Sequence, residues 1–135
     1  MAKQMFVNLA VKDLNKSIDF FTKLGFRFNP QFTDENATCM IINDSAFAML
    51  LTEQFMKRFT EKEMVEPKAS TEVINAFSVD SREQVDWMID KVVAAGGRES
   101  RPSEDHGWMY GRSFEDLDGH LWEVIYMDMA KLQSK

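Results

Sequence analysis

Few side chains in this 135-residue sequence are equipped for catalysis, and their spacing narrows the options further. His120 and Glu123 form an H-x-x-E pair, which on a helix could grip one metal ion. They stand in an apolar run that reads as a strand, His120 to Tyr126. Residues three apart on a strand point to opposite faces and cannot share an ion. His106, in Ser103-Glu104-Asp105-His106-Gly107, falls in a loop of turn formers and acids and reads as a solvated histidine, with a ligand or general-base role as the alternative. With two histidines and one cysteine in the chain, neither a three-nitrogen metal site nor a cysteine zinc cluster can be built. Cys39, in Ala37-Thr38-Cys39-Met40-Ile41-Ile42, reads as a small buried residue. No glycine-rich phosphate loop, nucleophile elbow or Ser/His/Asp grouping is present.

The elements that position these residues follow from periodicity. Phe6 to Val11 is a short apolar strand. Asp13 caps a helix whose apolar face carries Leu14, Ile18, Phe20, Phe21 and Leu24, and Gly25 ends it. Three extended segments follow: Phe26 to Phe32, Ala37 to Ile42 and Ala46 to Thr52, the last two joined by the turn Asn43-Asp44-Ser45. The same order then recurs. Val73 to Val79 is a strand, and Ser81 with Gln84 forms a capping box. Val85, Met88, Ile89, Val92 and Val93 make a helical stripe ending at Gly96-Gly97. Strands are expected around Arg98 to Ser100, at Trp108 to Phe114 and at His120 to Tyr126. Placing Val11 on Val79 superimposes Phe6 on Ile74, Phe20 on Met88, Phe21 on Ile89 and Leu24 on Val92, so each half reads as one βαβββ module of a duplication. The expected organisation is one domain, 1-135, with module 1 at 5-53, an insert and connector at 54-72 and module 2 at 73-128. The insert carries Phe55, Met56 and Phe59 at helical spacing, followed by the polar Glu66 to Thr71. It should cover a cavity mouth, a partner surface or a sheet edge.

Charge and composition exclude several functions. A net charge of −6 argues against a nucleic-acid partner, since a polyanion needs a basic surface. No apolar run approaches the length of a membrane span, and Met1 to Met5 lacks a signal peptide's apolar stretch, so a cytoplasmic protein is expected. The run Glu61-Lys62-Glu63 reads as a solvated helix face.

The module openings Val11-Lys12-Asp13-Leu14-Asn15-Lys16-Ser17-Ile18-Asp19-Phe20-Phe21 and Leu24-Gly25-Phe26, with the closing Phe114-Glu115-Asp116-Leu117-Asp118-Gly119-His120-Leu121-Trp122-Glu123, resemble the vicinal oxygen chelate superfamily. That group includes glyoxalase I, bleomycin-resistance proteins and extradiol dioxygenases. The resemblance implies an α+β fold, two βαβββ modules forming an incomplete barrel around one cavity, commonly as a homodimer. Metal-dependent members hold a divalent ion through four side chains, one in the first and one in the last strand of each module. Carried residue by residue, those places fall here on Phe6, Leu50, Ile74 and Glu123. Leu50 follows from counting five residues from Ser45, as Glu123 lies five from Asp118. Three of the four lack a donor for a divalent cation. A metal cofactor is therefore disfavoured, and Glu123 is the one retained position.

Glu123 then has two readings: a carboxylate in apolar surroundings acting as general base or ligand anchor, or a buried acid satisfied by Arg112, Asn8 or Tyr110. Asn8 should share the face of Phe6, and Arg112 that of Tyr110 and Phe114. Trp108, Met109, Phe47, Met49 and Phe77 are core or cavity residues, Trp108 being a candidate for ligand contact. The resulting expectation is a glyoxalase-like protein that binds a small organic molecule through Asn8, Trp108, Tyr110, Arg112 and Glu123. An acidic chain would weakly favour a cationic ligand. The alternatives are a metal-dependent lyase or isomerase resembling lactoylglutathione lyase, and a non-catalytic interaction module.

Overall fold

The computed structural model describes residues 1–133; the last two positions of the expected 1-135 domain lie outside the described residues. The chain divides into two compact units, Met1–Met64 and a second beginning at Val65. The first contains β1 (Met5–Val11), α1 (Leu14–Lys23), β2 (Arg27–Asn29), a 3₁₀ turn at Pro30–Phe32, β3 (Ala37–Ile41), β4 (Ala46–Thr52) and α2 (Glu53–Met56). The second contains β5 (Ile74–Ser78), α3 (Arg82–Ala94), β6 (Arg98–Asp105), β7 (Met109–Glu115), β8 (Leu121–Met127) and α4 (Met129–Gln133). Each unit has one four-stranded sheet, in the orders β1-β4-β3-β2 and β5-β8-β7-β6. The first strand pairs parallel with the last in each sheet, and the other pairings are antiparallel. Two βαβββ modules and an α+β class are thus what the chain forms. No helix among the described residues is long and apolar enough to cross a membrane.

The duplication extends to the cores. Buried Ser17, Phe20, Phe21 and Leu24 of the first helical segment stand 68 positions before buried Val85, Met88, Ile89 and Val92 of the second. Val93, expected in that stripe, is exposed, because it follows Val92 by about 100° around the helix. Both helices are capped at each end, by a side chain at the start and a glycine turn at the finish. Asp13 Oδ1 accepts the Lys16 N–H at 3.0 Å, and Ser81 Oγ accepts that of Gln84 at 3.1 Å. The Gln84 amide oxygen in turn accepts the Asp80 N–H at 2.7 Å, one residue earlier than a strict capping box would place it. At the C-termini, Gly25 and Gly96 take positive φ. The following N–H groups of Phe26 and Gly97 reach back five residues to the carbonyls of Phe21 and Val92, closing two Schellman turns.

Three boundaries depart from the expected ones. The segment Phe26 to Phe32 pairs only through Asn29, because Pro30 lacks an N–H and opens a 3₁₀ turn. The insert helix is a single turn, α2, capped by Thr52. β6 runs through Asp105, well past Ser100.

Candidate functional site

Register decides which side chains can act together. In the second sheet Glu123 lies opposite Ser113 of β7 and Ala76 of β5, so it shares a face with Ile74, Leu121 and Ile125. Trp122 and Val124 occupy the other face and are buried, and α3 packs against β6, β7 and β8. Glu123 therefore projects from the sheet face opposite the helix-packed core. Its side chain is 25% exposed and already engaged: Arg101 donates from Nη2 to Oε2 at 2.6 Å, and Ser113 donates from Oγ to the same oxygen at 3.1 Å. Arg101 reaches it because β6 pairs irregularly with β7, with register shifts on either side of Arg101. The other edge of that guanidinium meets Glu104 at 2.5 Å, and Glu104 contacts His106 Nε2 at 3.2 Å. The two carboxylates hold the Arg101 pKa above its ordinary value. Arg101, followed by His106, pulls that of Glu104 down. Of the two readings of Glu123, apolar surroundings are absent, and the acid is satisfied by Arg101 and Ser113 in place of Arg112, Asn8 or Tyr110.

Beside this cluster lies a groove of about 290 Å³. One wall is the connector, Pro67 to Thr71; the other is the open face of the second sheet, including Ile74, Leu121, Ser113 and Glu123. Arg98, Arg101 and Glu115 also line it, and Arg98 is paired with Glu115 through Nε at 2.7 Å and Nη2 at 2.5 Å. The connector is held by the closing turn. Gly119 has φ +98°, and a Cβ there would sit 2.9 Å from the Lys68 nitrogen and 3.0 Å from its Cα, so no other residue admits this approach. Asp116 organises the turn, its Oδ1 accepting the N–H groups of Asp118, Gly119 and His120 at 3.0–3.1 Å and its Oδ2 the indole N–H of Trp122 at 3.0 Å. The D-x-D-G-x-x-W pattern is thus a staple that fixes β8, and with it Glu123.

The four positions implied for a metal can now be placed by register within each unit. Phe6 pairs with Phe47 and stacks on its ring at 4.9 Å, while Asn8 pairs with Met49. Phe6, Asn8, Phe47 and Met49 therefore share one face. Leu50 pairs with Leu9 on the other face and is fully buried, so it is not the counterpart of Glu123. Asn8 maps onto Ala76 in the duplication. The partner of Ala76 is Glu123 and the partner of Asn8 is Met49, which makes Met49 the equivalent residue. The one-residue slip comes from counting across turns of unequal length, and one residue on a strand reverses the face. Phe6 and Ile74 are 48% and 53% exposed on their respective strands. In the first unit a phenyl ring and a thioether, and in the second a butyl group with a carboxylate that is bound to arginine, are side chains that do not suit a hard or borderline divalent cation. Among the described residues no three His, Cys, Asp or Glu side chains are grouped to hold a metal.

The remaining expected site residues are not gathered around Glu123. Tyr110 and Arg112 pair with Tyr126 and Val124, on the face opposite Glu123, and turn toward α3. Arg112 donates from Nε and Nη2 to Glu99, both at 2.9 Å, and from Nη1 to Asp86 at 2.9 Å; Tyr110 donates to Asp86 at 2.6 Å. Glu99 and Asp86 hold the Arg112 pKa up, and burial followed by Asp86 raises that of Tyr110. This network ties α3 to the sheet. Trp108 precedes β7, is half-buried and accepts the Asp128 N–H through its carbonyl at 2.6 Å, away from the groove walls. Asn8 is exposed on β1 of the first unit. Sequence reasoning missed Lys68, Arg98, Arg101, Ser113 and Glu115. For Ser113 a signal exists, since its pairing with Glu123 follows from the hairpin turn; the others depend on connector and bulge geometry.

Comparison with known proteins agrees with this architecture. A hypothetical protein, SA1046 from S. aureus, is 30% identical, covers 93% of this chain with 95% of its own, and superimposes with a TM-score of 0.79. A glyoxalase/bleomycin resistance protein/dioxygenase family enzyme from Burkholderia phytofirmans PsJN shares 16% identity over 90% of this chain and 96% of its own, with a TM-score of 0.72. The fosfomycin resistance protein FosX from Mesorhizobium loti shares 16% over 98% of both chains, with a TM-score of 0.69. At these lower identities the likeness is one of fold. No curated protein matches the sequence. The family model described as Glyoxalase/Bleomycin resistance protein/Dioxygenase superfamily matches residues 4–124, nearly the whole of both modules, and the chain belongs to that superfamily.

Proposed function

We propose that this chain binds a small organic molecule without a metal ion, using the groove between the connector and the open face of the second sheet. The observation that carries the reading is the chemistry of the positions in each unit: in the second, Ile74 offers nothing to a divalent cation and Glu123 already holds Arg101, and in the first, Phe6 and Met49 are apolar. The groove supports binding, because it combines apolar walls at Pro67, Ile74 and Leu121 with a few fixed polar groups at Glu123, Ser113 and Arg101. Glu123 acts there as an anchor that fixes Arg101 and, through it, the polar end of the ligand. The fold is shared with proteins of differing activities, so function rests on this site and not on the architecture.

The test is calorimetry of the full chain against a panel of small aromatic and amphipathic compounds, with chelator present throughout, alongside a methylglyoxal–glutathione isomerisation assay with and without added divalent metal. Saturable binding of at least one compound under chelation, and no metal-stimulated isomerisation, are expected. Binding or turnover that appears only with added metal contradicts the proposal, as does a panel without any saturable ligand.

A further inference from the structure

Resting on that reading, we infer that the groove's ligand is an anion, a small organic carboxylate, received by Lys68, Arg98 and Arg101. The inference reverses what the overall charge suggests, since a chain of net charge −6 would by itself favour a cation. The local inventory is different. Both carboxylates lining the groove are engaged by guanidinium groups: Glu115 by Arg98, Glu123 by Arg101. Glu104 takes the outer edge of Arg101 and is not part of the lining.

Donors remain in surplus. A guanidinium carries five N–H bonds. Arg98 uses only its Nε and Nη2 groups on Glu115, and Arg101 only its Nη1 and Nη2 groups on Glu104 and Glu123. Lys68 lines the groove, and its ammonium makes no ion pair among the described residues; Ser100 adds a hydroxyl. Lys68 is fixed at its root, because its backbone lies against Gly119, and Arg101 is fixed at its head by two carboxylates. A groove with spare N–H donors, two of its cations anchored, and apolar walls at Ile74 and Leu121 matches a ligand with an acceptor-only head and an apolar body. Arg101 is thereby the cation that Glu123 holds, on the face where the family pattern puts a metal ligand.

A matched series of phenylacetate, 2-phenylethanol and 2-phenylethylamine, titrated calorimetrically into the full chain, separates charge from shape. Phenylacetate is expected to bind about tenfold more tightly than the alcohol, and the amine more weakly still. Lys68→Gln, on the exposed connector, should weaken phenylacetate about fivefold and leave the alcohol within about twofold. Arg101→Gln, which frees Glu123, should shift preference toward the amine. Equal or tighter binding of the alcohol or amine by the unaltered protein overturns the inference while leaving small-molecule binding intact. Failure of all three to bind also overturns it, and the wider panel then decides the binding reading separately. Should Arg101→Gln fail to fold, the Lys68→Gln comparison still decides the matter: an unchanged phenylacetate affinity contradicts the assignment.

Discussion

Asp116 shows how one residue converts a family-like motif into geometry. Its carboxylate is buried and accepts three backbone N–H groups and the Trp122 indole N–H. Removing it strands those donors in a buried turn, where each unpaired group costs about 1–3 kcal/mol before relaxation. Asp116→Ala is therefore expected to lower stability by about 3 kcal/mol in urea unfolding; a loss under about 1 kcal/mol would show that the turn does not depend on it. The same turn presents Gly119 to Lys68, so Gly119→Ala should be destabilising by about 1–3 kcal/mol, through both its positive φ and the contact with the connector backbone. Circular dichroism melting checks this, and an unchanged midpoint would contradict the close approach. Phe6 and Ile74 are legible from the repeat as matched apolar residues; that they stand at ligand positions is what the family resemblance implies. Glu123 is legible as a position but not in its surroundings, because its partner Arg101 comes from an irregular strand.

At the scale of elements, the two helices and the flanking strands are readable because their apolar periods are strong and their caps explicit. β6 is not, except for its first residues. Arg98 to Asp105 is polar, contains Pro102, lies at the sheet edge and pairs through shifted register, so its extension is dictated by β7 and not by its own sequence. α3 is fixed to β6 and β7 by Arg112, which joins Glu99 of β6 and Asp86 of α3. The Tyr110 hydroxyl and then Arg112 lower the Asp86 pKa, and Arg112 lowers that of Glu99. Carboxylates with depressed folded-state pKa values stabilise the fold above their ordinary values of 3.8 and 4.5 and lose that contribution as pH falls through the folded-state values. Stability should therefore decline on acidification below about pH 4.5, and Arg112→Met should flatten that decline. Urea midpoints measured across the acid range check it, and equal slopes for the two proteins would contradict it. Ser81→Ala, which removes the α3 cap, should cost about 1 kcal/mol by the same measurement. A wild-type midpoint in that variant would show the cap to be redundant.

For the whole molecule, the duplication supplies two versions of one scaffold whose corresponding sheet faces carry different residues. The first module places Phe6, Phe47 and Met49 on the face where the second places Ile74 and Glu123. The apolar identity of those positions is evident in the sequence; the choice of Met49 over Leu50 is not, since strand register depends on turn length, which periodicity leaves open. The functional reading depends above all on this donor set being unable to hold a divalent ion. Its most direct test is calorimetric titration of Ni(II), Zn(II) and Mn(II) into the chelator-stripped full chain and into a Glu123→Ala variant. No saturable binding that depends on Glu123 is expected. Stoichiometric uptake of any of these ions, abolished in the variant, would contradict it.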